Sequence, residues 1–293
     1  MLPGITTENL GASGYRIKRE HESGPIGSRW LVESQIDGSQ RLADLVFPDD
    51  DSYTSALCQN ALRTRAWTED RCVVNVLEAG WLPDGQYFQI LDMAPHTVSL
   101  PEAGVRLDEQ QLWKVAASLV SALRHLHRRE LVHAGVSPRC VYKEGDQARL
   151  GELWFAHNAD GQPLHPDLAE YFPAGLPDFL WPYAAPELLL GQPPGREGDI
   201  FSLGAVLFFL SAGQPPRPHR PGLLDEGARR LLAQTGAGSL KALRPDLSDD
   251  LTGLIAAMLA LDPSRRPKIF VLEAICREES GQQAEEDEDR YIP

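Results

Sequence analysis

Short apolar runs separated by turn residues dominate residues 15–47, for example the run 42–47 that follows an Asp-Gly-Ser turn. Runs of this length, bounded by small and polar residues, are typical of β-strands joined in hairpins. Two further runs, at 72–77 and 87–92, flank a Pro-Asp-Gly turn. The pattern therefore predicts an antiparallel sheet of five strands in the first third of the chain.

Helical periodicity replaces this alternation in most of the remaining sequence. Asp108 and Gln111 have the spacing of a capping box, and leucines and valines follow them at helical intervals. We expect His125 and His127, near the end of this helix, to be ordinary surface residues. Helices are predicted at 52–67, 108–127, 199–210 and 248–260. The third of these is apolar on every side, which indicates that it is buried.

Composition restricts the class of protein and the partners. The formal net charge of −14 argues against binding to nucleic acid or to an anionic membrane. The longest apolar run, residues 200–212, is too short to span a bilayer, and the N-terminus lacks the features of a signal peptide. Four widely spaced cysteines indicate neither a zinc site nor a disulfide framework. We therefore predict a cytoplasmic protein.

The segment from Leu131 to Tyr142 resembles the catalytic loop H-R-D-L-x-x-x-N of the protein kinase superfamily. His133 stands at the His, but Gly135 stands at the catalytic Asp and Cys140 at the metal-binding Asn. Ser137 replaces the Lys that serine/threonine kinases usually have two residues after the Asp. Gly135 has no side chain that could accept a proton, and Cys140 is a poor ligand for magnesium.

Three later segments strengthen the resemblance. Ala185-Pro186-Glu187 matches A-P-E, residues 199–204 resemble D-x-W-S-x-G, and residues 261–267 resemble L-D-P-x-x-R-P. The resemblance implies structural roles for His133, Glu187, Asp199 and Arg266. Arg266 is expected to pair with Glu187, and Asp199 to hold the backbone around His133.

The resemblance implies an α+β, bilobal fold. It consists of a small antiparallel N-lobe with one helix and a larger, mainly helical C-lobe. The expected divisions are a flexible tail at 1–13, an N-lobe at 14–94, a C-lobe at 95–277 and an acidic tail at 278–293.

The residues that would bind nucleotide depart from the family pattern. The counterpart of the Gly-rich loop keeps Gly24 and Gly27 but has Glu22 at its first glycine. Leu45 is read at the position of the strand lysine, and the helix predicted at 52–67 has no Glu to pair with it. Glu152, at the D-F-G aspartate, is the one remaining candidate metal ligand. We therefore expect binding of ATP and magnesium to be weak or absent.

Because these family residues are absent together, the sequence predicts a pseudokinase. We expect it to act as a scaffold or allosteric regulator of a protein partner such as an active kinase or another enzyme. Two alternatives stay open. One is a nucleotide-binding protein with residual or altered phosphotransferase activity that uses Glu152, with Asp146 or Asp160 nearby in sequence. The other is a structural domain whose cleft is filled by its own side chains, with Leu45 and Trp154 as the expected plugs.

The counterpart of the activation segment, residues 152–187, contains no Ser or Thr. It is rich in proline and aromatic residues, which either pack on the lobe or form a docking surface. The candidate interface residues are Tyr171, Phe172, Phe179 and Trp181, within residues 164–183. The groove between the lobes is a second candidate surface.

Overall fold

The computed structural model describes residues 10–23, 26–47, 52–65, 69–95, 97–100, 106–144, 147–171, 176–217 and 226–281. These residues form a small lobe built on a sheet and a larger lobe built mainly of helices, as the sequence predicted. The lobes meet along a cleft lined by residues from both.

The N-terminal lobe contains a five-stranded sheet in which all neighbouring strands are antiparallel. Its spatial order is β1-β2-β3-β5-β4. The strands are β1 (Tyr15–Ser23), β2 (Ser28–Ser34), β3 (Gln40–Val46), β4 (Val76–Trp81) and β5 (Tyr87–Leu91). Helix α1 (Ser52–Thr64) follows β3, and its buried face includes Ala56, Leu57 and Ala61.

The fourth strand lies four residues later than predicted. The apolar run 72–77 was expected to form it, but β4 begins at Val76. The backbone of the earlier residues pairs with the C-terminal lobe instead. Leu150 N donates to Cys72 O and Val74 N donates to Leu150 O, each over 2.8 Å. The run is apolar because it lies in this junction between the lobes.

Helix α2 (Glu109–Arg128) begins at the predicted capping box. Gln111 N donates to Asp108 Oδ1 over 2.8 Å, and Asp108 N donates to Gln111 Oε1 over 3.1 Å. The longer helices after α2 are α4 (Arg196–Ala212), α5 (Glu226–Gln234), α7 (Asp249–Met258) and α8 (Ile269–Ser280), and the short ones are α3 (Pro186–Leu189) and α6 (Leu240–Leu243). Helix α4 is buried along nearly its whole length and packs against α2 and α7. Among the described helices, none has both the length and the apolar character needed to cross a membrane.

Short strands complete the C-terminal lobe. They are β6 (Val98–Ser99), β7 (Leu131–Val132), β8 (Val141–Glu144), β9 (Gln147–Leu150) and β10 (His157–Asn158). Strands β6, β8 and β9 form one small sheet, and β7 pairs with β10.

The prediction that His127 lies on the surface is wrong. Its side chain is buried, and Nε2 lies 2.9 Å from Asp199 Oδ2 on α4. The residue is on the face of α2 that packs against α4, so it forms part of the polar core of the lobe. The side chain of His125 is only 9% exposed, and its Nδ1 lies 2.9 Å from Asp70 Oδ2, so His125 is not an ordinary surface residue either.

The ordered structure extends beyond the predicted boundaries of the lobes at both ends. Leu10–Ser13, expected in the N-terminal tail, is a 3₁₀ turn, and Leu10 is buried beside the sheet with Val32 and Phe88. Helix α8 includes Glu278 and Glu279, which were expected in the acidic tail. The remainder of that tail, residues 282–293, lies outside the described residues.

Arg266 joins three parts of the C-terminal lobe. Its guanidinium donates to both carboxylate oxygens of Glu187, over 2.6 and 2.8 Å, which is the pair implied by the resemblance. It also donates to the carbonyls of Glu197 and Ala260 and lies 5.0 Å from the ring centroid of Phe201. The Arg266 side chain is fully buried, so Glu187 depends on it for neutralisation.

Replacing Arg266 by alanine would leave the Glu187 carboxylate largely buried without its partner. We expect Arg266→Ala to lower the free energy of unfolding by about 3–5 kcal/mol, measured by urea denaturation. Lys268→Ala removes the exposed ion pair with Glu197 and is the control, expected to cost less than about 1 kcal/mol. Similar losses in the two variants would contradict a structural role for the Arg266–Glu187 pair.

Candidate functional site

The loop after β7 is held in place by a buried carboxylate. Asp199 accepts hydrogen bonds from the backbone amides of His133 and Ala134, each over 2.9 Å. Ala134 has a φ of 59°, which is unfavourable for a residue with a side chain. The two bonds from Asp199 stabilise this conformation and fix the loop as the resemblance implies.

His133 supports the loop from within the core. Burial lowers the pKa of its imidazole, which favours the neutral form. Its Nε2 lies 3.0 Å from the carbonyl oxygen of Gly151 and can donate a hydrogen bond to it. Because the ring is fully buried and engaged in this way, it is placed to join two backbone segments and not to exchange protons with a substrate.

The position of the catalytic carboxylate is closed by an aromatic ring. A Cβ atom on Gly135 would lie 2.7 Å from Cδ2 of Phe155, much closer than van der Waals contact. Phe155 is itself buried in the 3₁₀ turn Leu153–Phe155. Gly135 is therefore required for packing, and the place where an Asp side chain would begin is taken by Phe155.

Cys140 closes its own turn. Its Sγ accepts from Ser137 N over 3.2 Å and lies 3.0 Å from Ser137 O. Burial raises the pKa of this thiol to about 12, so the thiolate that would react or bind a metal is strongly disfavoured. Ser137 is also buried, and its backbone groups are used within the turn. Both residues are therefore engaged within the turn itself.

The register of β3 corrects the assignment of the lysine position. Successive side chains of a strand point to opposite faces. Leu45 lies on the face away from the cleft, buried with Leu10, Val32 and Phe88, whereas Asp44 and Val46 line the cleft. The expectation that Leu45 stands in the cleft or plugs it is therefore wrong by one residue. The cleft face of β3 carries a carboxylate.

A buried arginine from β2 supplies a cation to the cleft. Arg29 Nε lies 2.6 Å from Asp44 Oδ1, and Nη2 lies 3.1 Å from Oδ2. Its Nη1 donates to the Tyr142 hydroxyl over 2.5 Å, and the guanidinium lies 4.8 Å from the centroid of the Tyr142 ring. Gln89 donates to Asp44 from the neighbouring strand over 2.8 Å. Arg29 stands two residues after Gly27, where the family's glycine-rich motif ends in Val.

Glu152 completes this cluster. It accepts from the Tyr142 hydroxyl over 2.6 Å, and Arg29 Nη2 lies 3.5 Å from the same oxygen. Burial, opposed by the Arg29 charge, raises the pKa of the carboxyl. The described residues contain no group of three or more His, Cys, Asp or Glu side chains that could hold a metal ion. Asp160 is exposed outside the cleft, and Asp146 lies outside the described residues.

Among the described residues, little free volume is left in the part of the cleft beside Glu152 and Trp154. The cavity there is about 30 Å³, room for about two water molecules. Its lining has the three carboxylates of Glu22, Asp44 and Glu152 against the two guanidinium groups of Arg29 and Arg139. When all are ionised the lining has one net negative charge, which disfavours a polyphosphate.

The counterpart of the glycine-rich loop is shaped by packing within the lobe. A Cβ on Gly27 would lie 2.5 Å from the carbonyl oxygen of Leu45, so the close approach of β2 and β3 requires glycine there. Glu22 Oε1 lies 3.5 Å from Arg139 Nη2, across the cleft. Gly24 lies outside the described residues.

Helix α1 is held by an uncharged side chain that the sequence reading missed. Asn60 is fully buried, and its Nδ2 donates to the carbonyls of Trp154 and Ala156 over 3.0 and 2.9 Å. Its Oδ1 accepts from His165 N over 2.8 Å. The signal in the sequence that could have indicated this role is an asparagine on the apolar face of a predicted helix. These bonds fix α1 without a Lys–Glu ion pair.

Trp154 packs beneath the sheet. The ring lies edge-to-face with Tyr87 at a centroid distance of 6.0 Å, and it belongs to the same buried cluster as Val46 and Leu57. It lines the cleft, as expected of a plug, but Arg29 and Tyr142 fill the cleft beside it.

The expected aromatic docking surface is not free. Trp181 is buried, and its Nε1 donates to Leu176 O over 3.0 Å, so the expectation that it forms an interface is wrong. Phe179 is partly buried against the apolar cluster beside it, and Tyr171 is half-buried with its ring 5.2 Å from Tyr53. Phe172 lies outside the described residues. The described part of the segment packs mainly on its own lobes.

Arg217 anchors the end of this segment and was also missed. It is fully buried, donates to the carbonyls of Trp181, Pro182 and Ala184, and lies 4.8 Å from the Phe201 ring centroid. Burial lowers the pKa of the guanidinium to about 10, well above neutral pH. A single arginine after a helix carries no sequence signal of this role.

Comparisons with known proteins agree with this arrangement. The protein kinase domain family matches residues 81–278. The calcium/calmodulin-dependent protein kinase cmkA of Emericella nidulans is 25% identical over 270 residues, which cover 88% of this chain and 58% of that protein. The bovine phosphorylase b kinase gamma catalytic chain, liver/testis isoform, is 30% identical over 173 residues, which cover 55% of this chain and 39% of that protein.

Among solved structures, the PknI kinase domain of Mycobacterium tuberculosis superposes with a TM-score of 0.68 at 20% identity. The match covers 96% of this chain and 99% of that one. This likeness confirms the predicted bilobal fold. The chain spans between 16% and 58% of the length of the curated relatives that it matches.

The contact between Gly135 and Phe155 predicts a non-additive pair of substitutions. Gly135→Ala alone should cost about 1–3 kcal/mol of stability, because the new methyl group overlaps the ring. In a Phe155→Ala background the same change should cost close to nothing. The free energy of unfolding from urea titrations of the four proteins gives the coupling. Additive effects would show that Phe155 does not occupy this space.

The four cysteines should be unreactive in the folded protein. All are buried, and burial raises the pKa values of Cys58, Cys140 and Cys276 to about 12. With a disulfide reagent near pH 8, we expect none of the cysteine thiols of the folded chain to react during the time in which all four thiols of the chain unfolded in urea react. A rapid thiol reaction of the folded chain that is absent in the Cys140→Ser variant would contradict the conclusion that Cys140 is enclosed in its turn.

Proposed function

This chain belongs to the protein kinase family, and on that premise we propose that it is a member without phosphotransferase activity. Its proposed role is that of a protein-binding scaffold or allosteric regulator. Its partner is a protein, such as an active kinase or another enzyme, and its location is the cytoplasm. The relatives named above are kinases by name, so the proposal depends on what this chain has at the cleft.

One observation carries the proposal: the cleft is filled by a hydrogen-bonded cluster of the chain's own side chains. Arg29, Asp44, Tyr142 and Glu152 contact one another where the two lobes meet. Arg29 is the one cation among these four residues and pairs with both carboxylates, so opening the cleft would expose or strand buried charges. A nucleotide would have to break this cluster before it could bind.

The chemistry of phosphoryl transfer gives independent support. Kinase catalysis relies on positioning and electrostatic stabilisation by a lysine, metal ions and a catalytic carboxylate. Here the cleft face of β3 has Asp44, the metal-binding Asn is replaced by buried Cys140, and Phe155 closes the place of the carboxylate. No single substitution restores these parts together.

The second candidate function is nucleotide binding with altered phosphotransferase activity. The carboxylate of Glu152 favours it, because it remains at the cleft at the position of the magnesium-binding Asp. Tyr142 and Arg29 already engage this carboxylate, so a metal ion would compete with both. We therefore rank this candidate below the scaffold.

A thermal-shift titration with ATP, with and without magnesium or manganese, tests the proposal. A ligand present at a hundred times its Kd adds roughly 2.7 kcal/mol, a shift of a few degrees for a domain of this size. We expect no shift for the unmodified chain at millimolar nucleotide. A metal-dependent rise that Glu152→Ala abolishes would overturn the proposal in favour of the altered enzyme.

The double variant Arg29→Val/Asp44→Lys checks the physical reason for closure. It removes the guanidinium from the cleft and places a lysine on the cleft face of β3, near Glu152. If the cluster is what excludes nucleotide, this variant should gain a metal-dependent shift, provided that circular dichroism shows a folded domain. Adding Glu152→Ala should remove that gain. A folded double variant without any shift would show that the cluster is not the cause of exclusion.

A further inference from the structure

Helix α1 is joined more closely to the activation-segment counterpart than to the sheet of its own lobe. It packs against two 3₁₀ turns of that segment, Leu153–Phe155 and Pro166–Glu170. The backbone of α1 approaches these turns more extensively than it approaches any described strand of the sheet. The position of α1 is therefore set largely by a segment of the C-terminal lobe.

The described part of this segment runs antiparallel to α1. Three hydrogen-bonded pairs show the direction. In order along the segment, they are Leu164 with Arg63, His165 with Asn60, and Tyr171 with Ser52. Residue numbers rise along the segment as they fall along the helix, so the segment follows α1 from its last turn to its first residue.

The two ends of this contact differ in burial. At one end Asn60 is fully buried and is bonded to three backbone groups. At the other end the hydroxyl of half-buried Tyr171 is hydrogen-bonded to that of exposed Ser52, and its ring lies 5.2 Å from the ring of Tyr53. Local opening of a protein begins where contacts are few and exposed to solvent. The contact therefore opens from the Tyr171 end.

An apolar side chain links the motion of the turn to that of the helix. Leu168, in the turn Pro166–Glu170, is fully buried and belongs to the same cluster as Ala56 and Leu57 of α1. Moving either element away exposes apolar surface that both share, which costs free energy. The turn and the first half of α1 are thus expected to open together.

We infer that the contacts of Tyr171 with Ser52 and Tyr53 form a latch that controls the first half of α1. When the latch opens, the turn Pro166–Glu170 and the start of the helix are released as one unit, while Asn60 holds the second half of α1 in place. The latch goes beyond the proposed function, because it provides a way to release part of the N-terminal lobe without opening the cleft.

Hydrogen exchange of the full chain tests the latch. Tyr171→Phe removes the hydroxyl and keeps the ring. We expect the amide of Leu168, which donates to His165 O over 3.1 Å, and the amides of residues 56–58 to exchange about two- to tenfold faster, by a common factor. The amides of β2 and β3 should be unchanged. Tyr183→Phe is the matched control, because the ring of Tyr183 packs edge-to-face on Phe209 away from α1.

A double-variant cycle identifies the bond itself. Ser52→Ala removes the same hydrogen bond from the other side, so the double variant Ser52→Ala/Tyr171→Phe should exchange no faster than the faster single variant. Accelerations that multiply would show that the two hydroxyls act separately and would overturn the latch.

Tyr171→Ala also removes the ring contact with Tyr53 and should accelerate exchange by about tenfold or more. Melting temperatures first establish that each variant is folded. Unchanged exchange at residues 56–58 in both Tyr171 variants, or an equal acceleration in Tyr183→Phe, would overturn the inference. Acceleration of the Leu168 amide alone would show that the turn opens without the helix and would overturn it as well.

Discussion

The buried guanidinium of Arg29 is the constraint around which the cleft is built. A buried cation must be paired and hydrogen-bonded, and here Asp44 supplies a two-point ion pair while Tyr142 and Glu152 each accept a further hydrogen bond. The acidic residue on β3, the tyrosine on β8 and the glutamate before the 3₁₀ turn are therefore explained together. Changing one of them alone would strand the charge of another.

The C-terminal lobe keeps the interactions that fix its backbone. Asp199 holds the loop around His133, Arg266 neutralises Glu187, and the Phe201 ring lies close to two buried guanidinium groups, those of Arg217 and Arg266. These contacts maintain the shape of the lobe without requiring a ligand.

The same logic applies to helix α1 and to the surfaces available for partners. Asn60 bonds α1 to the segment that follows Glu152, so the position of the helix does not depend on a charge pair across the cleft. The aromatic residues of that segment are largely used in packing it against the lobes.

The sequence by itself determined the family, the two lobes, the boundaries of α2, and the presence of Gly135 and Cys140 where the family pattern has Asp and Asn. Motif order and helical periodicity are local properties, and a missing side chain can be read without coordinates. Only the tertiary structure decided that Asp44 and not Leu45 faces the cleft, because one residue of register inverts the face of a strand. It also decided the roles of Arg29, Asn60, His127 and Trp181. Their burial depends on elements from distant parts of the sequence packing together, which no pattern within one segment records.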